Sequence, residues 1–332
     1  MTEVITLAHG AGGKASAKLI DTVFLPAFGS PAELMDAACF APAGRCAFST
    51  DSYVVNPIRF PGGSIGDLAV NGTVNDLAVC GARPRWLSAA FVIEEGLPVA
   101  ELEAVVADMA AAAERAGVAI ITGDTKVVPK GAADKVFITT AGVGEIPDGR
   151  ALGAGRIQAG DAVLISGPIA NHGMSVMLAR GNLALTAEIE SDSAPVNGLV
   201  EALYAALEAS EVRWMRDATR GGLGTVLNEL TAASGLGVLL DDAAIPLDEL
   251  TRGACDMLGI DPLYVANEGC FVAVVQGGSA ERAARALRMA GADRAAVVGQ
   301  VIAEPNVVAI RNAFGGTRLV DMMIGDPLPR IC

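Results

Sequence analysis

The pattern of apolar and polar residues predicts alternating strands and helices in the first half of the chain. Residues 85–94 alternate between apolar and polar positions, and residues 118–121 and 135–143 also read as strands. A helix is predicted between Pro98, which suits a first helical turn, and Gly117, which suits the position after a helix. Its apolar stripe consists of Leu102, Val105, Val106, Met109 and Ala113.

Further elements complete this half. Strands are predicted at 4–8 and 45–49, and helices at 15–25 and after Ser64, which is a plausible N-cap. The buried strand at 118–121 is expected to stop at the polar stretch 122–126. The strand at 45–49 is expected to run into the polar stretch Thr50-Asp51-Ser52.

The second half repeats the mixture after a glycine-rich stretch at 142–160 without periodicity. Strands are predicted at 161–166, 236–240, 270–275, 295–302 and 307–311. Helices are predicted after 167–173, at 196–207, from about 225, at 247–258 and at 279–290. The sequence therefore predicts an α+β (mixed α/β) protein with domains at 1–150 and 151–320 and a mobile tail at 321–332.

The predicted tail carries a thiol at its end. Pro327 and Pro329 forbid a helix and keep the backbone extended as far as Cys332. A free tail that starts at Asp321 would reach roughly 35 Å. A frayed terminus is the simpler interpretation. A swinging arm that carries a reacting group on Cys332 is the alternative that the other residues favour.

Composition and charge narrow the classes of function. The chain has 332 residues, 52% of them hydrophobic, which is enough for the cores of two domains. The net charge of −14 argues against nucleic acid and against an anionic membrane surface as partners. No signal peptide is recognisable and no run is long enough to span a bilayer, so we expect a cytoplasmic protein. No CxxC pair occurs, which disfavours a structural zinc site.

A glycine loop precedes the first predicted helix. Gly10, Gly12 and Ala15 fit a dinucleotide fingerprint, but no strand ending in an acidic residue follows about twenty positions later. We therefore interpret Gly12 and Gly13 as a loop able to hold phosphate on backbone N–H groups, with Lys14 adding positive charge. A plain turn before a helix is the alternative.

Four acidic residues stand where strands end or helices begin. Asp51, Asp76 and Asp124 belong to the first half, and Asp217 lies in a glycine-flanked loop of the second half. Asn75, beside Asp76 in an apolar helix, is a fifth oxygen donor. Oxygen ligands without nearby His or Cys suit Mg²⁺, which commonly accompanies a nucleoside triphosphate. The P-loop and kinase motifs are absent from the sequence, so any ATP site belongs to a rarer class.

These motifs resemble a known superfamily. The stretches 48–52, 75–78, 122–125 and 217–222 are similar to the ATP-binding proteins related to aminoimidazole ribonucleotide synthetase and selenophosphate synthetase. Within that superfamily, the opening 9–14 and the ending 329–332 resemble the hydrogenase maturation factors of the HypE family. The resemblance runs from about His9 to Cys332, and the ending is its most specific part.

The resemblance implies a reaction. In that family the terminal cysteine, here Cys332, receives a carbamoyl group from HypF, and ATP is used to dehydrate it to a thiocyanate. The cyanide is then delivered to iron on the HypC–HypD complex.

The resemblance also implies roles for particular residues. Glu268 and Lys130 match the residues that take or relay protons, and Asp51, Asp76, Asp124 and Asp217 match the ligands of Mg²⁺. Gly12, Gly13, Lys14, Asn75, Gly221 and Gly222 would contact ATP. A homodimer formed through the first domain is implied by analogy.

Two other interpretations stay open on the residues alone. A synthetase or kinase of the same superfamily that acts on a free small molecule would need the aspartates but not Cys332. A non-catalytic carrier would need the tail but not Glu268 or Lys130. His172 is a further candidate for the cleft, although a lone histidine is more often a structural hydrogen-bonding group.

Overall fold

The first half of the chain folds around a four-stranded sheet. The computed structural model describes residues 4–11, 13–29, 37–181, 185 and 187–322. The sheet contains β1 (Arg45–Tyr53), β4 (Arg83–Glu94), β5 (Ala119–Val128) and β6 (Val136–Ile146) in the order β1-β6-β4-β5. The short strands β2 (Arg59–Phe60) and β3 (Gly63–Ser64) form a separate hairpin. Within the four-stranded sheet, β4 and β5 run parallel and the other two neighbouring pairs run antiparallel.

Helices cover one face of this sheet. They are α1 (Lys14–Leu19), α2 (Leu25–Phe28), α3 (Ile65–Val79) and α4 (Val99–Ala116), with a π-helical turn at Ile20–Phe24 between the first two. The hydroxyl of Ser64 accepts hydrogen bonds from the backbone N–H groups of Gly66 and Asp67, which confirms the predicted N-cap of α3. Gly117 ends α4 in the left-handed conformation, as predicted.

Two predictions about this half are wrong. The strand expected at 4–8 is a single bridge from Val4 to Pro98 followed by a 3₁₀ helix at Leu7–Gly10, because this segment lies across β5 instead of joining the sheet. The strand expected to stop at 122 continues to Val128, because β5 pairs with β4 along its whole length. Asp124 therefore lies within a strand and not at its end.

The second half folds around a seven-stranded sheet with the order β13-β12-β9-β11-β7-β10-β8. Its strands are β7 (Ala162–Ile165), β8 (Val212–Asp217), β9 (Gly237–Asp241), β10 (Phe271–Val275), β11 (Ala296–Ile302), β12 (Val308–Arg311) and β13 (Thr317–Leu319). Its helices are α5 (Asn171–Ala179), α6 (Asn197–Ala206), α7 (Gly222–Ser234), α8 (Glu249–Leu258) and α9 (Ala280–Met289). The sequence did not predict β8 or β13.

The two halves share buried surface. The core of the first half includes Met174 and Val176 of α5 and Cys255 of α8. Ala78 and Val79, at the end of α3, are buried among residues of the second half. Helix α3 is therefore packed between the two sheets. Its polar residues face the boundary between the two halves, here called the seam, where both halves can contribute functional side chains.

Among the described residues, no helix has both the length and the apolar composition needed to cross a bilayer.

Candidate active site

Asp51 and Asp76 meet on the helix-covered face of the first sheet. Asp51 projects from β1 and Asp76 from α3, and the hydroxyl of Ser49 donates a 2.6 Å hydrogen bond to Oδ2 of Asp76. Burial raises the pKa of Asp76, the bond from Ser49 lowers it, and the charge of Asp51 raises it further. Two carboxylates that oppose each other's ionisation would be relieved by a cation.

Asp217 joins this pair from the second half. It is the last residue of β8, although the sequence indicated a loop at this position. Burial raises its pKa to about 7, with a further contribution from the charge of Asp76. The charge of Arg216 lowers the pKa of Asp217 and of Asp76. Arg216 also forms a 2.8 Å ion pair with Glu229. The seam between the halves therefore contains three acids, Asp51 and Asp76 from the first half and Asp217 from the second.

Glu268, from the second half, lies beside the part of α3 that carries Asn75. It is only 5% exposed, and its charge helps to raise the pKa of Tyr53, after burial and the charge of Asp51. The phenol of Tyr53 is also affected by Asp76 and lies 3.4 Å from the hydroxyl of Thr73. Tyr53 was not predicted as a site residue, because in the sequence it is simply an apolar strand end. Its position shows that Asp51, Asp76 and Glu268 belong to one electrostatic neighbourhood.

Asn75 fixes α3 to the second half. Its amide nitrogen donates 3.0 Å hydrogen bonds to the carbonyls of Ala194 and Glu268. Its carbonyl oxygen accepts a 2.8 Å hydrogen bond from the N–H of Val196. Because these groups occupy most of the amide, Asn75 holds α3 to the backbone of Ala194, Val196 and Glu268. Its predicted contact with nucleotide stays a prediction.

Asp124 lies away from the other acids within one chain. Ser52, Thr139, Ala90 and Asp124 are paired in register across the four strands, so their side chains share a face. Asp51 precedes Ser52 and therefore faces the opposite side. Three strand spacings, roughly 14 Å, also separate the two edges. The carboxylate of Asp124 is 59% exposed and pairs with Lys126 at 2.9 Å, which lowers its pKa.

The glycine loop lies against β5, at the edge of the first sheet opposite to β1. A Cβ added to Gly10 would come within 2.7 Å of the backbone nitrogen of Val127 in β5, so the loop is pressed against that strand. Gly13 is the N-cap residue of α1, and Lys14 is its first residue. Gly12 lies outside the described residues. The predicted nucleotide site is thus divided, in one chain, between the two edges of the first sheet.

Gly221 and Gly222 open α7 next to Asp217. Their φ angles of 73° and 58° are left-handed, and a Cβ on Gly222 would come within 2.6 Å of two backbone carbonyls, so both positions require glycine. The exposed Arg220 precedes them, and its charge lowers the pKa of Asp76. The second half thus places the positive side chain of Arg220 and the N-terminus of α7 close to the acids of the seam. This arrangement is suited to binding phosphate.

Lys130 and Cys332 are the two other predicted catalytic residues. Lys130 is exposed in the turn after β5, where its charge contributes to a lowered pKa of Glu94, chiefly set by hydrogen bonds from Gly131 and Lys135. The same turn reaches the end of β1 through a 2.7 Å hydrogen bond from Asn56 to Asp134. Cys332 lies outside the described residues, so its role stays a prediction.

His172 is a neutral, fully buried residue of the seam. Its Nδ1 lies 2.9 Å from the hydroxyl of Ser191, and its ring packs edge-on against Phe60. Its Nε2 has no hydrogen-bond partner among the residues that the structure describes. Burial lowers its pKa to about 3. A group that stays neutral to such a low pH is poorly suited to exchange protons at pH 7, which favours the structural interpretation.

The neutral His172 predicts a pH effect on stability. The unfolded chain binds a proton at this residue below pH 6.5 whereas the folded chain does not, so stability falls as the pH drops below 6.5. Between pH 7 and pH 5 this group should remove about 2 kcal/mol from the free energy of unfolding. We expect His172→Asn to lack that loss when urea unfolding is compared at the two pH values. An identical pH dependence in both proteins would contradict the assignment.

The acids of the seam fit a magnesium ion that is shared with phosphate. Among the described residues, no three His, Cys, Asp or Glu side chains lie close enough together to hold a metal ion unaided. Mg²⁺ usually takes one or two carboxylates and completes its octahedron with water and substrate phosphates. The mutual repulsion of Asp51, Asp76 and Asp217 and the all-oxygen donor set are consistent with that kind of ion.

Comparison with known proteins identifies the family. Residues 34–146 match the family model described as AIR synthase related protein, N-terminal domain, and residues 158–312 match AIR synthase related protein, C-terminal domain. A carbamoyl dehydratase HypE from Rhodobacter capsulatus is 52% identical over 99% of this chain and 98% of that protein. The chain belongs to the HypE family. Carbamoyl dehydratase HypE of Escherichia coli K12 is 46% identical over 99% of both chains.

Solved structures agree with this assignment. A hydrogenase maturation protein HypE in complex with ATP superposes with a TM-score of 0.93 at 46% identity, over 98% of this chain and 99% of that one. A chain of a HypE–HypF complex superposes with a TM-score of 0.80 at 44% identity, over 83% and 90%. Membership of the HypE family confirms the predicted superfamily fold, the place among hydrogenase maturation factors and an enzyme with dehydratase activity.

Proposed function

We propose that this enzyme binds ATP and Mg²⁺ at the seam and dehydrates a carbamoyl group carried on its own Cys332. The observation that carries the proposal is the meeting of Asp51 and Asp76 from one half with Asp217 and Glu268 from the other. Such an arrangement offers oxygen ligands for a cation beside a buried carboxylate for protons. The HypE relative solved with ATP supports the nucleotide.

In the proposed reaction, ATP converts the carboxamide oxygen into a leaving group. Hydroxide is a poor leaving group, so the carboxamide oxygen first takes the γ-phosphoryl group of ATP and ADP departs. The nitrogen then loses two protons and the C–O bond breaks, which releases phosphate and leaves a thiocyanate on the sulfur. The net change is Cys–S–CO–NH₂ plus ATP to Cys–S–C≡N plus ADP and phosphate.

Each group has a proposed task in this reaction. Glu268 accepts a proton from the nitrogen, and Lys130 relays or neutralises charge near the arriving tail. Asp51, Asp76, Asp124 and Asp217 are the proposed ligands of Mg²⁺, which, when bound, neutralises and aligns the triphosphate. The proposed contacts to ATP are Gly12, Gly13, Lys14, Asn75, Gly221 and Gly222; of these, Asn75, Gly221 and Gly222 lie at the seam.

The proposed partners are those that membership of the HypE family implies. A carbamoyl donor, HypF, is proposed to load Cys332, and the HypE–HypF complex of a relative supports this partner. The HypC–HypD complex is the proposed acceptor of cyanide for the iron of a [NiFe] hydrogenase. These encounters are proposed to take place in the cytoplasm.

A homodimer through the first sheet is also proposed. Helices α3 and α4 pack on one face of that sheet, and the opposite face presents Phe48, which is 70% exposed. A second copy on this face would cover Phe48 and would bring another Asp124 toward the interface. Because Asp124 lies on the uncovered face, a dimer offers a route by which it could serve the second copy's site.

The dimer makes a testable prediction. Phe48→Lys should convert the protein to a monomer, because a buried unpaired ammonium would oppose association. Phe314→Lys is the control, since Phe314 is 99% exposed on a turn of the second half. Light scattering or sedimentation distinguishes the two. A dimeric Phe48→Lys protein, or a monomeric wild type, would contradict the proposed interface.

The coupling of ATP use to the tail separates the three interpretations. Formation of ADP should require a carbamoyl group on Cys332 and should be lost in Cys332→Ala. A Cys332→Ala protein that phosphorylates a free metabolite at the wild-type rate would favour the small-molecule enzyme. Loaded wild-type protein that binds ATP without forming ADP would favour the carrier.

A further inference from the structure

The backbone of Glu268 is held on its N–H side by a carboxylate that no prediction had singled out. Oδ1 of Asp192 accepts a 3.2 Å hydrogen bond from the N–H of Glu268, and Oδ2 accepts a 3.0 Å hydrogen bond from the N–H of Gly269. The two oxygens of Asp192 therefore each accept a hydrogen bond from one of two consecutive backbone N–H groups.

The backbones at this point are in direct contact. A Cβ added to Gly269 would lie 1.7 Å from the carbonyl oxygen of Asp192, so no other residue fits at 269 without separating the two segments. On the other side, the carbonyl of Glu268 accepts the 3.0 Å hydrogen bond from Asn75. Both polar backbone groups of Glu268 are thus fixed, one by Asp192 and the other by the neighbour of Asp76.

We propose that Asp192 is a positioning residue, whose carboxylate holds the 268–269 backbone so that the Glu268 side chain meets the carbamoyl group of the loaded tail. This inference rests on the proposed function and adds a residue to it. Asp192 acts through Glu268 and contacts neither nucleotide nor metal ligands in the proposed site.

The chemistry favours an ionised carboxylate at this position. A carboxylate has only acceptors and can satisfy several N–H groups, whereas an amide would turn an NH₂ group toward one or more of them. Burial nevertheless raises the pKa of Asp192 to about 6, because it outweighs the lowering effect of the neighbouring backbone N–H groups. Protonation would place a hydrogen between Asp192 and one of the N–H donors. The hydrogen bonds that hold the 268–269 backbone should therefore weaken as the pH falls through about 6.

Within the described part of the chain, the groups that face Asp192 do not supply a compensating charge. His172 of α5 is neutral, since burial lowers its pKa to about 3, and burial raises the pKa of the Cys270 thiol to about 12. Glu268 follows on the same loop, and α3 contributes the uncharged Asn71 and Asn75 to this segment. A carboxylate kept among such neighbours is costly to the fold, which favours a functional reason for it.

The test is Asp192→Asn in the full-length protein, loaded with carbamoyl on Cys332 and supplied with Mg-ATP. The single-turnover rate of dehydration should fall about 100-fold at pH 7.5, as expected when a catalytic group is displaced by about 1 Å. The KM for ATP should change less than twofold. The ratio of wild-type to variant rates should shrink as the pH falls through about 6, because protonated Asp192 resembles the amide.

Asp161→Asn is the matched control. Asp161 is also a buried aspartate whose carboxylate accepts a backbone hydrogen bond, from Gln158 at 2.8 Å, but it lies at the start of β7. This variant should lose stability and keep the dehydration rate. If Asp192→Asn does not fold, Asp192→Ser, which leaves room for water, should show the same rate loss and the same pH dependence of the ratio.

The outcomes are distinguishable. Wild-type protein that dehydrates its tail, together with a folded Asp192 variant that does so within threefold of the same rate, would overturn the role of Asp192 and leave the proposed function intact. A constant ratio of rates from pH 5.5 to pH 7.5 would also overturn it. Wild-type protein that fails to dehydrate the loaded tail would overturn both.

Discussion

Replacing Glu268 with Gln is expected to slow dehydration of the loaded tail by roughly 10²- to 10⁴-fold, the usual cost of losing a general base. The amide has nearly the same shape, and the contacts of Glu268 with Asp192 and Asn75 use its backbone, so the fold should survive. ATP binding should be nearly unchanged because the seam acids remain. The measurement is the single-turnover rate of water loss from carbamoylated protein.

Glu304→Gln provides the control for this experiment. Glu304 is an exposed carboxylate in the turn after β11, and its replacement should leave the rate within error of wild type. Dehydration by Glu268→Gln at the wild-type rate would remove Glu268 from the mechanism. It would leave Lys130 and the acids of the seam as the remaining candidates for proton acceptance.

Asp76→Asn is expected to slow ADP formation by roughly 10²- to 10³-fold, because a cation ligand is lost at the point where charge develops on phosphate. The same change should leave the protein without ligand as stable as wild type or more so. The charged form of Asp76 is disfavoured in the folded state by burial and by Asp51, and the neutral amide escapes both. Unchanged stability with lost activity is the pattern expected of a residue kept for function.

Thermal unfolding with and without Mg-ATP measures both effects. Mg-ATP should raise the midpoint of the wild type, since a ligand that binds only the folded state stabilises it, and should raise that of Asp76→Asn much less. Asp67→Asn is the control on the same helix. Asp67 caps α3 with Ser64 and pairs with Arg115 at 3.0 Å, so its loss should cost stability and leave ADP formation unchanged. The reverse pattern would contradict the assignment.

Local rules predicted the parts of the fold that are locally determined. Ser64 and Gly117 were recognised because a side-chain acceptor at a helix start and a left-handed glycine at a helix end depend on neighbouring residues alone. The segment 4–8 was not predicted correctly because Ile5 hydrogen-bonds to Gly96 and Leu97 and the following residues form a 3₁₀ helix against β5, so the segment does not join the sheet. Strand β8 was missed because Arg213, Arg216 and Asp217 hide its short apolar pattern.

The candidate site required information that the local pattern does not contain. The motifs identified Asp51, Asp76 and Asp217, and the structure brings them together across the two halves. The separation of Asp124 depends on strand order and on which face each strand position occupies, which only the assembled sheet reveals. Asp192 has no motif at all. Its importance lies in contacts with residues more than seventy positions away.

The central claim is that ATP drives the loss of water from a carbamoyl group on Cys332. The most direct measurement is the intact mass of the carbamoylated protein before and after Mg-ATP is added. The account predicts that the adduct loses the mass of one water, with ADP and phosphate formed in equal amounts. An adduct whose mass stays unchanged while ATP is consumed would contradict it.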